Sequence, residues 1–123
     1  MKGGETDFEI SFFERLVKES PDFVDALIPL AEAYTKKGLH DKALVLDKRL
    51  ARLKPNDPTV HYNLACSFAL AGKKEEAFQA LEQAIGLGWH DFEHLKKDSD
   101  LKILRDDPRF QQLVSSKEEK SSE

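Results

Sequence analysis

The chain has 123 residues, 40% of them apolar and 34% charged, with a formal net charge of −4. That length supports one domain with a real core. Lys and Arg are scattered among Asp and Glu, which excludes the basic stripe of a nucleic-acid binder. No apolar run approaches the length of a membrane span, and the start, MKGGETDFEI, lacks the apolar stretch of a signal peptide. Cys66 is the single cysteine, so no internal disulfide is possible and a reducing, cytoplasmic setting is expected.

In chain order, residues 1–6 are polar, contain Gly3-Gly4, and are expected to be loose. Phe8, Phe12, Phe13, Leu16 and Val17 then recur at helical spacing up to Ser20-Pro21. A second helix is predicted from about Pro21 to Lys37, ending at Gly38, where a left-handed cap suits glycine. A third runs from about Asp41 to Leu53. Asp57-Pro58 opens a fourth, with an N-cap carboxylate followed by proline in the first turn, and it closes at Gly72. The fifth covers about Lys74 to Ile85 and stops at Gly86 and Gly88. Short helices are expected after Asp98 or Ser99, through Leu101 and Leu104, and after Asp107-Pro108. The tail 116–123 has no apolar residue to bury and is expected to be disordered. No alternating β-branched run occurs, so the class is all-α. Pro29 lies inside the second helix, where it removes a backbone hydrogen bond and favours a bend.

The strongest signal is a self-match at an offset of 34 residues. Pro21, Leu30, Ala31, Tyr34, Gly38, Ala43 and Leu53 have counterparts at Pro55, Leu64, Ala65, Phe68, Gly72, Ala77 and Leu87. This pattern resembles the tetratricopeptide repeat (TPR), a helix–turn–helix unit of that period. The resemblance implies a short right-handed superhelix of antiparallel helix pairs. It divides the chain into a domain over 7–115, with repeats at about 22–55 and 56–89, a preceding half-repeat and a cap over 90–115. In the family the small residues let the paired helices approach closely; Ala31, Ala65, Ala43 and Ala77 take that part here. Two departures stand out. Leu27 and His61 occupy the place of the family's early Trp, and Asp47 stands where the other copy carries Leu81. After Trp89 the register decays, since Asp98 and Ser99 replace the Leu-Ala pair, and the helix is expected to break near Lys97.

Chemistry-bearing motifs are sparse. His90 and His94 lie four residues apart, a spacing that suits a metal on one helix face, but no third ligand is evident. Cys66 sits among apolar residues, and the nearest histidine in sequence, His61, is on the same helix, so no nucleophile–base pair is expected. No catalytic residue, metal or cofactor is assigned.

The resemblance implies a non-enzymatic interaction module that binds a peptide of another protein on the concave face formed by the first helix of each pair. The residues expected there are Asp25, Ile28, Glu32, Thr35, Tyr62, Asn63, Cys66 and Ala69, with Lys96 and Lys97 at the far end. Such a groove would run from acidic to basic and hold the peptide's carboxylate end toward Lys97, over Tyr62. Some relatives clamp chaperone-tail carboxylates with a Lys, Asn and Arg set. Only Asn63 matches it, with Ile28 and Glu32 standing where the first helix would carry Lys and Asn, so that mode is not expected. The apolar residues of the first helix span an arc of roughly 200°, wider than one neighbour covers. Phe8 and Phe12 are therefore candidate contacts of a homodimer, the alternative reading. A small metal-binding or hydrolytic protein is a third.

Overall fold

The structure, a computed structural model, describes residues 2–122, with side chains over 6–115. Eight α-helices follow one another among these residues: α1 (Lys2–Glu19), α2 (Val24–Lys36), α3 (His40–Leu53), α4 (Pro58–Leu70), α5 (Lys74–Gly86), α6 (Phe92–Lys97), α7 (Lys102–Arg105) and α8 (Pro108–Ser122). A 3-10 turn, Ser99–Leu101, joins α6 to α7. Each of the first four helices packs on the next in sequence, the pairing that a TPR stack requires. α2 starts three residues after the expected Pro21, because Pro21 and Asp22 form a turn closed by the Phe23 N–H donating to the Ser20 carbonyl at 3.0 Å. Pro29 consequently lies only in the second turn of α2. The stretches 1–6 and 116–123, expected to be loose, fall largely at the edges of the described residues. The first and last residues of the chain lie outside them, while the backbone of 2–5 and 116–122 continues α1 and α8.

Three helix ends repeat one solution. The Leu39, Lys73 and Trp89 N–H groups donate to the Tyr34, Phe68 and Ala84 carbonyls at 2.8, 2.8 and 3.0 Å. Gly38, Gly72 and Gly88, just before those donors, take φ values of 81°, 78° and 117°. This is the Schellman closure, which satisfies orphan carbonyls at the cost of a left-handed residue that favours glycine. It turns the chain sharply enough for α3 to fold back on α2 and α5 on α4. At the start of α4 the Asp57 carboxylate accepts from the Thr59 and Val60 N–H groups at 2.9 and 3.3 Å, as its sequence position implies.

α4 is apolar nearly all round because it has neighbours nearly all round: α3, α5, the 3-10 turn and α7 pack on it. The core divides into two clusters. One gathers Leu27, Leu30, Ala31, Tyr34, Ala43, Leu46, Leu50 and Val60, with Ile10, Phe13 and Val17 of α1 packed against it. The other joins Leu64, Ala65, Ala77, Leu81 and Ala84 of the second repeat to Leu95, Leu101, Leu104, Phe110 and Val114 of the closing segment. Of the repeat positions, Leu30, Ala31, Tyr34, Ala43, Leu64, Ala65 and Ala77 are buried; Phe68, under the Lys48 ammonium, and Leu87 are half-buried, and Leu53 is exposed.

The closing segment is held by Arg109. Its guanidinium donates to both Glu75 oxygens at 2.8 Å, to Asp107, and lies 4.4 Å from the Phe78 ring centroid, tying α8 to α5. Those bonds hold the Asp107 carboxyl far below the usual carboxylate range. The helix break falls at Asp98, as expected. Asp98 has extended backbone, and its carboxylate accepts from the Asp100 N–H at 3.0 Å.

Candidate functional site

A cavity of about 500 Å³ opens between α2 and α4, along the seam of the two core clusters. α2 lines it with Ile28, Ala31, Glu32, Thr35 and Lys36, and α3 with Asp47 and Leu50. The N-cap and body of α4 add Asp57, Thr59, Val60, Tyr62, Asn63, Cys66, Ser67 and Leu70. His94, Asp98 and Asp100 close one end.

Asp47 is the unusual wall residue. It is 5% exposed, at the repeat position that Leu81 fills in the other copy. The Ser67 hydroxyl donates to its Oδ2, and Ser67 in turn stands where the first copy has Ala33. Burial pushes the Asp47 pKa up to about 7; the Ser67 bond opposes the shift and the nearby Glu32 charge adds to it.

A second carboxylate centre lies on the other side of the same turn of α4. The Tyr62 hydroxyl donates to Asp98 Oδ2 at 2.6 Å, the Cys66 thiol approaches that oxygen at 3.7 Å, and His94 Nε2 lies 3.3 Å from it. The Tyr62 ring is stacked on Trp89, with centroids 3.9 Å apart and planes 4° from parallel. Arg105 donates to the backbone carbonyls of Asp98 and Lys96 at 2.6 and 3.1 Å and so fixes the break in the chain. Burial raises the Tyr62 and Cys66 pKa values, and Asp98 adds to both shifts. Asp100 is raised by burial and by the Asp98 charge.

Cys66 Sγ and the carboxylates of Asp98 and Asp100 lie within 4.8 Å of one another, close enough in principle for a cation. Their chemistry is that of a satisfied cap: Asp98 already receives Tyr62, Cys66 and a backbone N–H, and the thiol holds its proton well above neutral pH. His90 and His94 do not share a helix face, as a metal pair at that spacing would need. α6 starts at Phe92, so His90 precedes the helix and contacts the Gly88 carbonyl, while Asp91 caps the helix by accepting from the His94 N–H.

Of the residues expected on the concave face, Ile28, Glu32, Thr35, Tyr62, Asn63 and Cys66 line the cavity. Asp25, Ala69, Lys96 and Lys97 are not among its lining. Asp25 is exposed in the first turn of α2, and Ala69 is buried in the core. Lys96 pairs with Glu93 at 3.7 Å. Neither lysine is among the cavity's lining and His94 is, so the basic end expected of the groove is not present: this end carries Asp98 and Asp100. Tyr62 is also not an open apolar floor. It is 3% exposed, with one ring face covered by Trp89. Asp47, Ser67 and Asp98 are wall residues that the sequence-based set lacks. The signal of the two acids is a register violation, a carboxylate where a repeat wants leucine.

Comparison with known proteins matches residues 24–123 to the family described as A/B hydrolase-like, N-terminal domain. The match begins at the first residue of α2, so α1 precedes it. A chloroplastic protein of Arabidopsis thaliana is 28% identical over 89 residues, which are 70% of this chain and 27% of that protein. Tetratricopeptide repeat protein 13 of Homo sapiens is 36% identical over 86 residues, 66% of this chain and 10% of that protein. The chain thus spans about a quarter and a tenth of these relatives' lengths. The solved structure MamA MSR-1 C2 superposes with a TM-score of 0.74 at 20% identity, covering 98% of this chain and 71% of that one. The 34-residue period, the paired helices and this superposition make the fold a tetratricopeptide-repeat array, and the chain belongs to the A/B hydrolase-like N-terminal domain family.

Proposed function

We propose that the chain is a non-enzymatic scaffold that holds an extended segment of a partner protein in the cavity between α2 and α4. The observation that carries this is the cavity itself, formed by the first helices of two successive repeats and floored by Ile28, Ala31, Leu50 and Val60. Apolar flooring with a polar rim is how a peptide groove combines affinity with register. The chemistry favours binding over catalysis. A nucleophile needs a lowered pKa or an adjacent base, whereas the Cys66 pKa is raised and the thiol faces carboxylates. Asn63 is exposed on the rim, so Asn63→Trp should fill the groove without disturbing the core. Peptides selected on the wild-type chain from a displayed library of random short peptides should lose binding to this variant. Undiminished binding by all of them would place recognition elsewhere.

Self-association through α1 is the second reading. Phe8 and Phe12 are 72% and 48% exposed, and their rings stack with centroids 6.4 Å apart.

A further inference from the structure

We propose that the cavity selects a segment carrying a lysine or arginine side chain, seated against Asp47 and Glu32, and rejects one that presents a carboxylate. This rests on the cavity being the binding surface. Two observations carry it. The first is charge: Glu32, Asp47, Asp57, Asp98 and Asp100 line the cavity, and Lys36 is the single ammonium among the lining residues. The second is Asp47, a carboxyl 5% exposed at a position where the repeat elsewhere uses leucine. Buried carboxyls are normally paired with a cation or kept neutral, because losing hydration is costly for the charged form. Among the described residues no ammonium or guanidinium lies within ion-pair distance of Asp47; Ser67 alone donates to it, and the other nearby charge is Glu32, of the same sign.

An incoming cation changes that balance. An ammonium or guanidinium beside Asp47 favours its ionised form and relieves its repulsion with Glu32, while the aliphatic stem lies on Ile28, Leu50 and Val60. The Asp98 centre stands on the far side of the same turn of α4, since Cys66 contacts Asp98 and the next residue, Ser67, contacts Asp47. Its carboxylate is largely engaged by Tyr62 and His94, so its part is to extend the negative potential along the groove.

The test uses the same displayed library, selected on the full chain at low salt. Peptides that lose binding to Asn63→Trp should be rich in Lys or Arg at one position. Replacing that residue by norleucine in a synthetic copy should weaken binding by roughly tenfold. Against the double variant Glu32→Gln, Asp47→Asn, the cationic and norleucine peptides should bind alike. Groove-dependent peptides without a basic residue, or a norleucine copy that binds the wild type equally well, overturn the inference and leave the groove reading standing. The absence of any Asn63→Trp-sensitive peptide overturns both.

Discussion

At the scale of single residues, Asp47 is where stability and binding conflict. Its pKa is raised from 3.8 to about 7, so the folded state holds a proton that the unfolded chain has released. Stability attributable to Asp47 is therefore complete below about pH 4 and declines as pH rises toward 7, where ionisation becomes unavoidable in either state. Asp47→Asn keeps an acceptor for the Ser67 hydroxyl and cannot ionise. The variant should be more stable than wild type at pH 8, by up to about 4 kcal/mol, with the difference vanishing near pH 4. Urea titrations of both proteins across that range check this; a constant difference would show that Asp47 is not the titrating group. Tyr62 carries the converse lesson. Its place in the register suggests a ligand anchor, but its ring and hydroxyl are committed to Trp89 and Asp98, so truncating it would damage the core rather than report on binding.

At the scale of elements, the turns are set by backbone conformation. A Cβ added at Gly38 meets no atom within 4 Å, so the whole cost of Gly38→Ala is conformational, at a φ of 81°. That cost is about 1–2 kcal/mol. Gly86 is an internal control. It also has open space, but it lies within α5 at an ordinary φ, so Gly86→Ala should raise stability by about 0.5–1 kcal/mol. Thermal melts of the two variants should move in opposite directions. α6 shows how one cap redirects an element. Because Asp91 starts the helix and Asp98 ends it, His94 reaches the cavity and Lys97 does not.

At the scale of the whole molecule, the closing segment completes the second core. Leu81 and Ala84 share a cluster with Leu95, Leu101, Leu104 and Phe110, so a chain ending at Gly86 loses one wall of that core. It should aggregate or fail to melt cooperatively. Phe110→Ala, at a residue 1% exposed, should cost about 3–5 kcal/mol while keeping the chain length. A fragment of residues 1–86 as stable as the full chain would show that the segment is no cap. At the other end α1 covers the first core with Ile10, Phe13 and Val17 and leaves Phe8 and Phe12 outward. If α1 mediates self-association, light scattering should find a dimer that Phe8→Glu with Phe12→Glu converts to a folded monomer. A wild type that is monomeric at high concentration removes the self-association reading.

The repeat period, the glycine stops and the proline starts were legible in the sequence because each is local: an offset of 34 residues, a left-handed φ, a missing N–H. They determined the helix order and most of the core. The break at Asp98 was legible for the same reason, as a carboxylate in a leucine register. The face on which the closing helix presents its side chains was not. That depended on where Asp91 and Asp98 cap it and on Arg105 holding the carbonyls at the break, contacts between residues brought together only by packing. The sequence therefore determined that a concave surface exists and which helices form it. Only the tertiary structure decided its charge, because burial of Asp47 and the turn at Asp98 bring acids from α2, α3 and the closing segment to one cavity, whose lining leaves out the lysines beside them in sequence.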